Sequence, residues 1–435
     1  MNLHGWDTAF ALDLARVNDA LARGNDALLI DFAVDDPDGL QIRAGGSFGH
    51  WQIAEGGSGQ FVTLRLPIIE GWLELTAQEA HRVDLTGLVF VASVALDLVS
   101  SEASEVRDLC FDISKAGTIG QDPTPGAITP IRIDDPDHRL DDVETALLAA
   151  GLAGDLAARS EQISFVFATV NLVPPASESW LTPVRSAFAY ADRSDGSGGA
   201  LVILSVTSDR TITDLPRSVD PALLASEHEA AFAFSTALLL EHVIMPALPD
   251  AFGHGASAAS FYYDAASGRV VNTTTLDMAS VREGLIDYYP KIRTISFGVS
   301  GSGLDVDVAQ GTCDLKLGIS MTFSVRSVNK IGFDAASKGL VFRPDDSPES
   351  HHSADIPWWF WIGGPLVRLI VEVVVRVIAN GLAGSLTSAM KNVLSPAQNP
   401  PTSIQWRDTA DLEIATAWVD GNFVMQGDFA RTGDL

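Results

Sequence analysis

Residues 45–49 read Gly-Gly-Ser-Phe-Gly and have the spacing of a nucleophile elbow, the turn that presents the catalytic serine in many hydrolases. In that motif the serine follows a strand and precedes a helix, and the strained turn exposes its hydroxyl to a general base. Residues 50–53, His-Trp-Gln-Ile, are instead typical of a returning strand. A Gly-rich turn is therefore the favoured interpretation, and a hydrolase that uses Ser47 is the weaker alternative.

Two acidic clusters, at residues 35–38 and 134–137, could supply oxygen ligands to a calcium ion. Neither cluster has the spacing, the central glycine or the terminal glutamate of an EF-hand loop. Acidic residues around a proline are also typical of solvated turns. We therefore interpret both clusters as turns and expect no calcium site.

The histidines give no metal-binding pattern either. His351 and His352 lie in a stretch, residues 345–355, that is typical of a polar loop. His228 opens a predicted helix, but Phe232 stands where a second zinc-binding histidine would be. We expect no metal, no cofactor and no catalysis.

The composition is that of a folded, acidic protein. Hydrophobic residues make up 46% and charged residues 19% of the 435 residues, which favours a large apolar core over disorder. The net charge of −28 excludes nucleic acid as a partner for the average surface. Two cysteines, Cys110 and Cys313, are too few for a zinc cluster or a disulfide framework.

The first seven residues contain neither a basic region nor the long apolar core of a secretory signal. We therefore expect cytoplasmic synthesis without a Sec-type signal. Release by a different export route stays open as an alternative.

Residues 314–325 alternate strictly between polar and apolar side chains, which predicts a strand with one wet and one dry face. At about 3.3 Å per residue such a strand would span roughly 40 Å. Leu304, Val306 and Val308 alternate with aspartates and predict an antiparallel partner strand.

Residues 366–394 predict a long helix, roughly 43 Å at 1.5 Å per residue, that is ended by several prolines. Arg368, Glu372 and Arg376 fall at i, i+4 and i+8 and form one charged stripe, which argues against a transmembrane span. The other faces are rich in Val, Ile and Leu. The helix is either buried core or the lining of an apolar groove, and we expect it to pack on the alternating strand.

Shorter helices are predicted at residues 8–23, 143–159 and 222–245, with strands between them. A helix followed by many strands thus occurs once before about residue 216 and once after it. This order predicts an α+β fold with two halves, residues 1–215 and residues 216–435.

Several segments resemble one family. Residues 5–9 (Gly-Trp-Asp-Thr-Ala) and 17–21 (Val-Asn-Asp-Ala-Leu) resemble its N-terminal signature. Residues 189–190 with 201–207 resemble its central hairpin, residues 241–246 its mid-chain helix end, and residues 358–389 its C-terminal helix. The chain is on these grounds similar to the OrfX/P47 family, found in clostridial neurotoxin clusters and related toxin loci.

The resemblance implies the TULIP (tubular lipid-binding) fold, with long helices cradled by strongly curved antiparallel sheets. It implies a non-enzymatic accessory protein of a toxin or secretion-associated locus that binds a lipid or fatty-acyl chain in an apolar seam. Other proteins of the same locus are further candidate partners. The alternative function is a protein–protein interaction module in which the seam is only core.

We predict that nine apolar residues of the alternating strand and the long helix line this groove. They are Leu317, Ile319, Met321, Phe323, Val367, Ile370, Val371, Val374 and Ile378.

The net charge of −28 predicts that the protein stays in solution without detergent and does not bind anionic vesicles at physiological ionic strength. Co-sedimentation with phosphatidylserine vesicles measures this, with phosphatidylcholine vesicles as the control. Pelleting of most of the protein with the anionic vesicles alone would contradict the prediction.

Overall fold

A computed structural model describes most of the chain. The described residues are 1–36, 38–76, 82–101, 105–172, 180–193, 196, 198–224, 228–283, 285–316, 319–334, 339–343, 345–354, 403–430 and seven single residues between 369 and 381.

The contacts divide the chain into two compact units. The N-terminal unit contains His4–Ala231, Pro401–Asp411 and Asp428–Leu435. The C-terminal unit contains Phe232–Pro400 together with two short segments, which are Met1–Leu3 and Leu412–Gly427.

The strands, in chain order, have the following bounds. They are β1 Thr8–Asp13, β2 Asp31–Asp36, β3 Ile42–Phe48, β4 Gln52–Ser58, β5 Phe61–Leu75, β6 Arg82–Asp84, β7 Val89–Ser100, β8 Val106–Asp112, β9 Lys115–Ala116, β10 Ala127–Asp134, β11 Val166–Asn171, β12 Arg185–Asp192, β13 Gly199–Val206, β14 Ala230–Phe234, β15 Phe261–Asp264, β16 Arg269–Asn272, β17 Leu276–Asp277, β18 Val281–Glu283, β19 Ile286–Tyr288, β20 Lys291–Ser300, β21 Gly303–Lys316, β22 Ile319–Asp334, β23 Gly339–Arg343, β24 Glu349–Ala354, β25 Ile404–Trp406, β26 Leu412–Asp420 and β27 Asn422–Phe429.

The helices have the following bounds. They are α1 Leu14–Arg23, α2 Asp142–Ala158, α3 Thr236–Leu239 and α4 Met245–Phe252, with a π-helical segment Leu240–Ile244 between the last two and short 3₁₀ turns at Asn25–Ala27, Ser160–Gln162, Pro221–Leu224 and Ala258–Ser260.

The main sheet of the N-terminal unit has the strand order β2-β3-β5-β7-β8-β11-β25, and β4, β6, β9 and β10 attach at its sides. Neighbouring strands are antiparallel, apart from the short parallel pair β9 and β10. In the same unit β13 pairs with β1 on one side and with β12 on the other.

The main sheet of the C-terminal unit has the order β15-β16-β20-β21-β22-β23, with β17 beside β20 and β24 beside β22, and its pairs are antiparallel. Within the described residues neither main sheet is closed or strongly curled. The mostly antiparallel β architecture with a few helices confirms one part of the predicted fold, the combination of antiparallel sheets with helices.

The first predicted helix, residues 8–23, is wrong in its first half. Thr8–Asp13 is strand β1, and the helix begins only at Leu14, where the Asp13 side chain accepts a hydrogen bond from the Ala15 amide at 2.7 Å. Strand residues 8–12 are all buried. A fully buried strand is a continuous apolar run, and periodicity alone does not separate such a run from a buried helix. Gly24 follows the helix end as predicted.

The second predicted helix is confirmed within one residue at each end, as α2. Asp141 and Glu144 form a reciprocal capping box, with N–O distances of 2.8 and 2.9 Å. One face of α2 packs on the main sheet of the N-terminal unit. Gly151 makes the closest approach, since a Cβ atom there would lie 2.9 Å from Val34 Cγ1 and 3.0 Å from Ile42 Cδ1.

The third predicted helix, residues 222–245, is wrong at both ends. Ala230–Phe234 is strand β14, and helical structure runs from Thr236 to Phe252. Pro246 does not end the helical run; it stands at the start of α4, directly after the π-helical segment Leu240–Ile244.

The alternating segment 314–325 is not one strand. Asp314 pairs with Ser320 and Lys316 with Ile319, so the segment holds the end of β21 and the start of β22 in an antiparallel pair. Leu317 and Gly318 lie outside the described residues. Both strands of such a pair have the same period of two, so the pattern does not reveal where one ends and the next begins.

The predicted helix at 366–394 falls mostly outside the described residues. The structure describes only Leu369, Glu372, Val373, Val375, Arg376, Asn380 and Gly381 there, and each is helical. Glu372 and Arg376 of the predicted stripe are exposed. The expected packing of the whole helix on the strand therefore stays a prediction.

Two glycines of α2 form a matched pair for a stability test. Gly151→Ala should bring a Cβ against Val34, whereas a Cβ at Gly154 would have no atom within 4 Å. Alanine in an exposed helix interior stabilises by roughly 0.5–1 kcal/mol, and overpacking costs about 1–3 kcal/mol. Thermal melting of both variants should place Gly154→Ala at or above wild type and Gly151→Ala below it. Equal melting temperatures would contradict the described packing of α2.

Candidate functional site

Two of the predicted groove residues, Met321 and Phe323, lie on one face of the sheet in the C-terminal unit. Met321, Phe323 and Val325 of β22 are 0%, 3% and 3% exposed, whereas Thr322 and Arg326 between and after them are exposed. This dry face and wet face confirm the alternation for β22.

The neighbouring strands extend the dry face. Cys313 of β21 stands opposite Met321, and Val308 stands opposite Val325. Further members of the face are fully or almost fully buried; they are Ile292, Ile295, Phe297, Leu304, Val306 and Leu315. We call this continuous surface of β20, β21 and β22 the apolar face.

Gly311 fixes the position of one aromatic ring on the apolar face. It pairs with Phe323, and a Cβ atom at Gly311 would lie 2.2 Å from Cε2 of that ring. Any larger residue would have to displace the ring, because carbon atoms do not approach so closely. The β-bulge between Val308 and Gly311 bends β21 at the same place.

Helix α4 covers one edge of the apolar face. The Phe252 ring lies 6.1 Å from the Phe297 ring of β20 in an edge-to-face arrangement and 5.7 Å from Phe261. The helical residue Gly381 approaches the other side of α4, since a Cβ there would lie 2.4 Å from the Ala251 carbonyl oxygen. Glycine is therefore required for the backbones to come this close.

Ile319, Met321 and Phe323 all belong to β22. That they line a groove stays a prediction. The other predicted groove residues lie outside the described residues; they are Leu317, Val367, Ile370, Val371, Val374 and Ile378.

A charged cluster on the outer side of the same sheet was not predicted. Asp305 of β21 is 3% exposed, and its carboxylate accepts from Arg269 Nη1 at 2.8 Å and from Arg326 Nε at 3.2 Å. The two guanidinium groups neutralise a carboxylate that would otherwise be costly to bury. Its sequence signal, an aspartate in an alternating strand, is the same as that of an exposed residue such as Asp314.

Ser47 does not have the geometry of a nucleophile elbow. It lies inside strand β3, and the next element is strand β4, not a helix. Its hydroxyl donates to Glu70 Oε1 at 3.1 Å on the outer face of the sheet. The Gly-rich turn expected here is therefore corrected to a Gly-rich strand.

The acidic clusters serve turns and ion pairs. Asp36 accepts hydrogen bonds from the amides of Gly39 and Leu40, and Asp134 pairs with Arg65 and Arg132. No group of three or more potential metal ligands was found in the described part of the chain.

The predicted polar loop around the histidine pair is also corrected. His351 and His352 belong to strand β24, where they pair with Ser324 and Phe323 of β22. His228 precedes a strand and contacts Asp428 at 3.0 Å.

The Gly-Trp-Asp signature has a structural role in the N-terminal unit. The buried Trp6 indole donates to the Pro216 carbonyl at 2.9 Å. The Asp7 carboxylate accepts from the Thr207 amide at 2.8 Å and from Arg210 at 2.7 Å. Asn18 donates to and accepts from the backbone of Ile53, at 3.0 and 2.8 Å. These contacts join distant segments, which explains why such residue types stand together in the sequence.

The described fold is that of a mostly antiparallel β protein with buried apolar sheet faces and no described helix long and apolar enough to cross a membrane. A family model described as "OrfX-like: Protein OrfX2/OrfX3/P47" matches residues 3–423, and the chain belongs to this family.

Individual relatives agree with this assignment. The chain is 25% identical to Protein P47 of Clostridium botulinum (strain Kyoto / Type A2) over 436 residues, which cover 98% of this chain and 99% of the relative. It is 22% identical to Protein OrfX3 of Paraclostridium bifermentans over 268 residues, covering 57% and 54%.

Solved structures show the same fold. P47 from Clostridium botulinum A2 superposes with a TM-score of 0.73 at 23% identity, covering 98% of both chains. P47 of Clostridium botulinum E1 superposes with a TM-score of 0.69 at 20% identity, covering 98% of this chain and 100% of the other.

Cys110 should be unreactive in the folded protein. Burial, with a further contribution from Asp108, raises the pKa of its thiol to about 11, so the thiol stays protonated at pH 8. The thiolate fraction at that pH falls by roughly two orders of magnitude relative to an ordinary cysteine. Iodoacetamide labelling at pH 8, followed by peptide mass spectrometry, should be far slower for native than for guanidine-unfolded protein. Equal rates would contradict the prediction.

Proposed function

We propose that the protein is a non-enzymatic accessory protein that binds a lipid or another hydrophobic ligand against the apolar face of its C-terminal unit. The observation that carries the proposal is the long dry face of β20, β21 and β22, centred on Met321 and Phe323. In this proposal the long helix at residues 366–394 is cradled by the sheet, and its Val and Ile residues form the opposite wall.

The chemistry of the apolar face suits an acyl chain. Most of its members are aliphatic, aromatic or sulfur-containing side chains, which offer dispersion contacts, and the buried Ser327 and Asn329 add polar groups at one end of β22. Burial of an acyl chain contributes about 0.8 kcal/mol per CH₂ group. A chain of myristoyl length would bind with an association constant on the order of 10⁴ M⁻¹ from apolar transfer alone. A promiscuous site of moderate affinity is therefore expected.

Family membership supports the accessory role. The matching family model and the relative from Clostridium botulinum connect the chain to the OrfX and P47 proteins. We infer that the protein acts beside a toxin or a secretion system and that other proteins of the same locus are its partners.

A second function is favoured by one specific observation. Met321 and Phe323 are 0% and 3% exposed, so the apolar face is already covered in the structure without a ligand. If protein atoms alone cover it, the face is ordinary core, and the protein acts as an interaction module through its acidic surface.

Met321→Trp and Thr322→Trp separate the two functions, because one residue faces the apolar side of β22 and its neighbour faces solvent. With a lipid site, wild type and Thr322→Trp should bind a fluorescent fatty acid, and Met321→Trp should lose binding while it stays folded. Fluorescence titration and thermal melting on the same samples measure both properties.

With a packed core, the added ring at residue 321 costs roughly 1–3 kcal/mol of stability. If wild type binds no fatty acid and the Met321→Trp variant has a lower melting temperature, the lipid proposal is contradicted. The interaction module then remains as the proposed function.

A further inference from the structure

An open depression lies on the outer face of the main sheet in the N-terminal unit, remote in sequence from the apolar face. It has a volume of about 510 Å³ and is lined by Gly45, Glu70, Trp72, Arg82 and Asp84, among others. Gly45, Trp72 and Asp84 stand side by side on β3, β5 and β6. The depression thus runs across the strands, with an aromatic ring in its middle.

The small residues beside the tryptophan leave its surroundings open. Ala33 of β2 pairs with Gly45 of β3. At these two positions the strands beside Trp72 therefore present only a methyl group and a hydrogen atom. The indole leans over Gly45, since a Cβ atom there would lie 3.4 Å from Trp72 Nε1. Trp72 itself is only partly buried, and the Arg82 guanidinium lies over part of its ring.

Two neighbouring glycines, Gly46 and Gly71, have a different structural role. A Cβ at Gly46 would lie 2.8 Å from the ring of Phe32, and a Cβ at Gly71 would lie 3.1 Å from it. Both positions therefore stay small because Phe32 packs on the inner face of the sheet. The opening on the outer face depends on Gly45 and on the short Ser47 side chain instead.

The rim of the depression carries two carboxylates. Asp84 accepts hydrogen bonds from the Thr86 amide and hydroxyl through Oδ1, at 3.0 and 2.7 Å, and its Oδ2 is a second acceptor. These bonds hold the pKa of Asp84 below its usual value, so its carboxylate is ionised at neutral pH. Glu70 accepts from Ser47 through Oε1, which leaves Oε2 for a ligand.

Donors stand beside these acceptors. The guanidinium of Arg82 lies 4.3 Å from the centre of the Trp72 ring in a cation–π contact, and its N–H groups are hydrogen-bond donors. The Trp72 Nε1–H is a further donor. The site therefore combines one aromatic surface, two carboxylates and two kinds of donor.

We infer that this depression binds a neutral saccharide. A pyranose ring has an apolar face that packs on an indole and a rim of hydroxyls that both donate and accept, which matches the mixture of groups around Trp72. The depression carries two carboxylates and one guanidinium, so a neutral ligand with hydroxyl groups finds partners for both its donors and its acceptors. The inference does not depend on the proposed lipid function.

Saturation-transfer NMR and calorimetry with cellotriose, maltotriose and chitotriose at millimolar concentration test it, with choline chloride and inorganic phosphate as charged probes. At least one trisaccharide should bind, and Trp72→Ala should weaken that binding by about tenfold or more because the stacking surface is lost. The matched control is Trp418→Ala, which removes a partly buried tryptophan from the other unit.

Glu70→Gln keeps the shape of an exposed side chain and removes one carboxylate, so it tests the site even if Trp72→Ala is unstable. It should weaken binding about threefold or more through the lost charge-assisted hydrogen bond. Its control is Glu161→Gln, at an exposed residue outside the depression. Absence of binding by all three trisaccharides, unchanged binding by both site variants, or tighter binding of choline or phosphate than of any saccharide would overturn the inference.

Discussion

The sheet of the C-terminal unit has one face exposed to water and one apolar face. The stability of the unit depends on covering the apolar face. Thr322 and Arg326 face outward, and Met321, Phe323 and Val325 face inward, on the same strand. Apolar surface left in water costs roughly 25 cal/mol per Å², so a dry face of this extent is unstable unless something packs on it. The proposed ligand and the alternative packed core are two ways to meet the same requirement.

Close contacts between aromatic rings and glycines recur in both units. Phe323 lies over Gly311 in one, and Phe32 lies against Gly46 and Gly71 in the other. In each case a large ring on the dry face takes the space that a neighbouring side chain would fill. This keeps the packing dense without strain, and it places glycines inside strands, where they otherwise weaken a sheet. Gly46 of the Gly-Gly-Ser-Phe-Gly segment is explained in this way.

Much of the fold follows from local sequence patterns, and the errors have physical causes. The prediction of helix α2 is correct within one residue at each end because its Ala- and Leu-rich composition is a local signal. Strand β1 was mistaken for the start of a helix because residues 8–12 are all buried, which removes the period of two. The dry face of β22 was predicted correctly. The pairing of Lys316 with Ile319 was not, since alternation continues unchanged from one strand of a hairpin to the next.

The two candidate sites also differ in how far local sequence patterns predict them. Met321 and Phe323 could be assigned to the apolar face from alternation alone. Glu70 and Trp72 are likewise neighbours on β5, but Gly45 and Asp84 join them only through the register of β3, β5 and β6. Asp305 is buried by two arginines that are distant in sequence, so no local pattern distinguishes it from an exposed aspartate.

Native mass spectrometry of the protein purified without detergent shows whether the apolar face of the C-terminal unit holds a hydrophobic ligand. We expect discrete adduct masses in the range of lipids or fatty acids. These adducts should disappear when the same sample is denatured, and organic extraction should recover the ligand. A folded protein that shows only the mass of the bare chain, and that takes up no added fatty acid, would contradict this expectation.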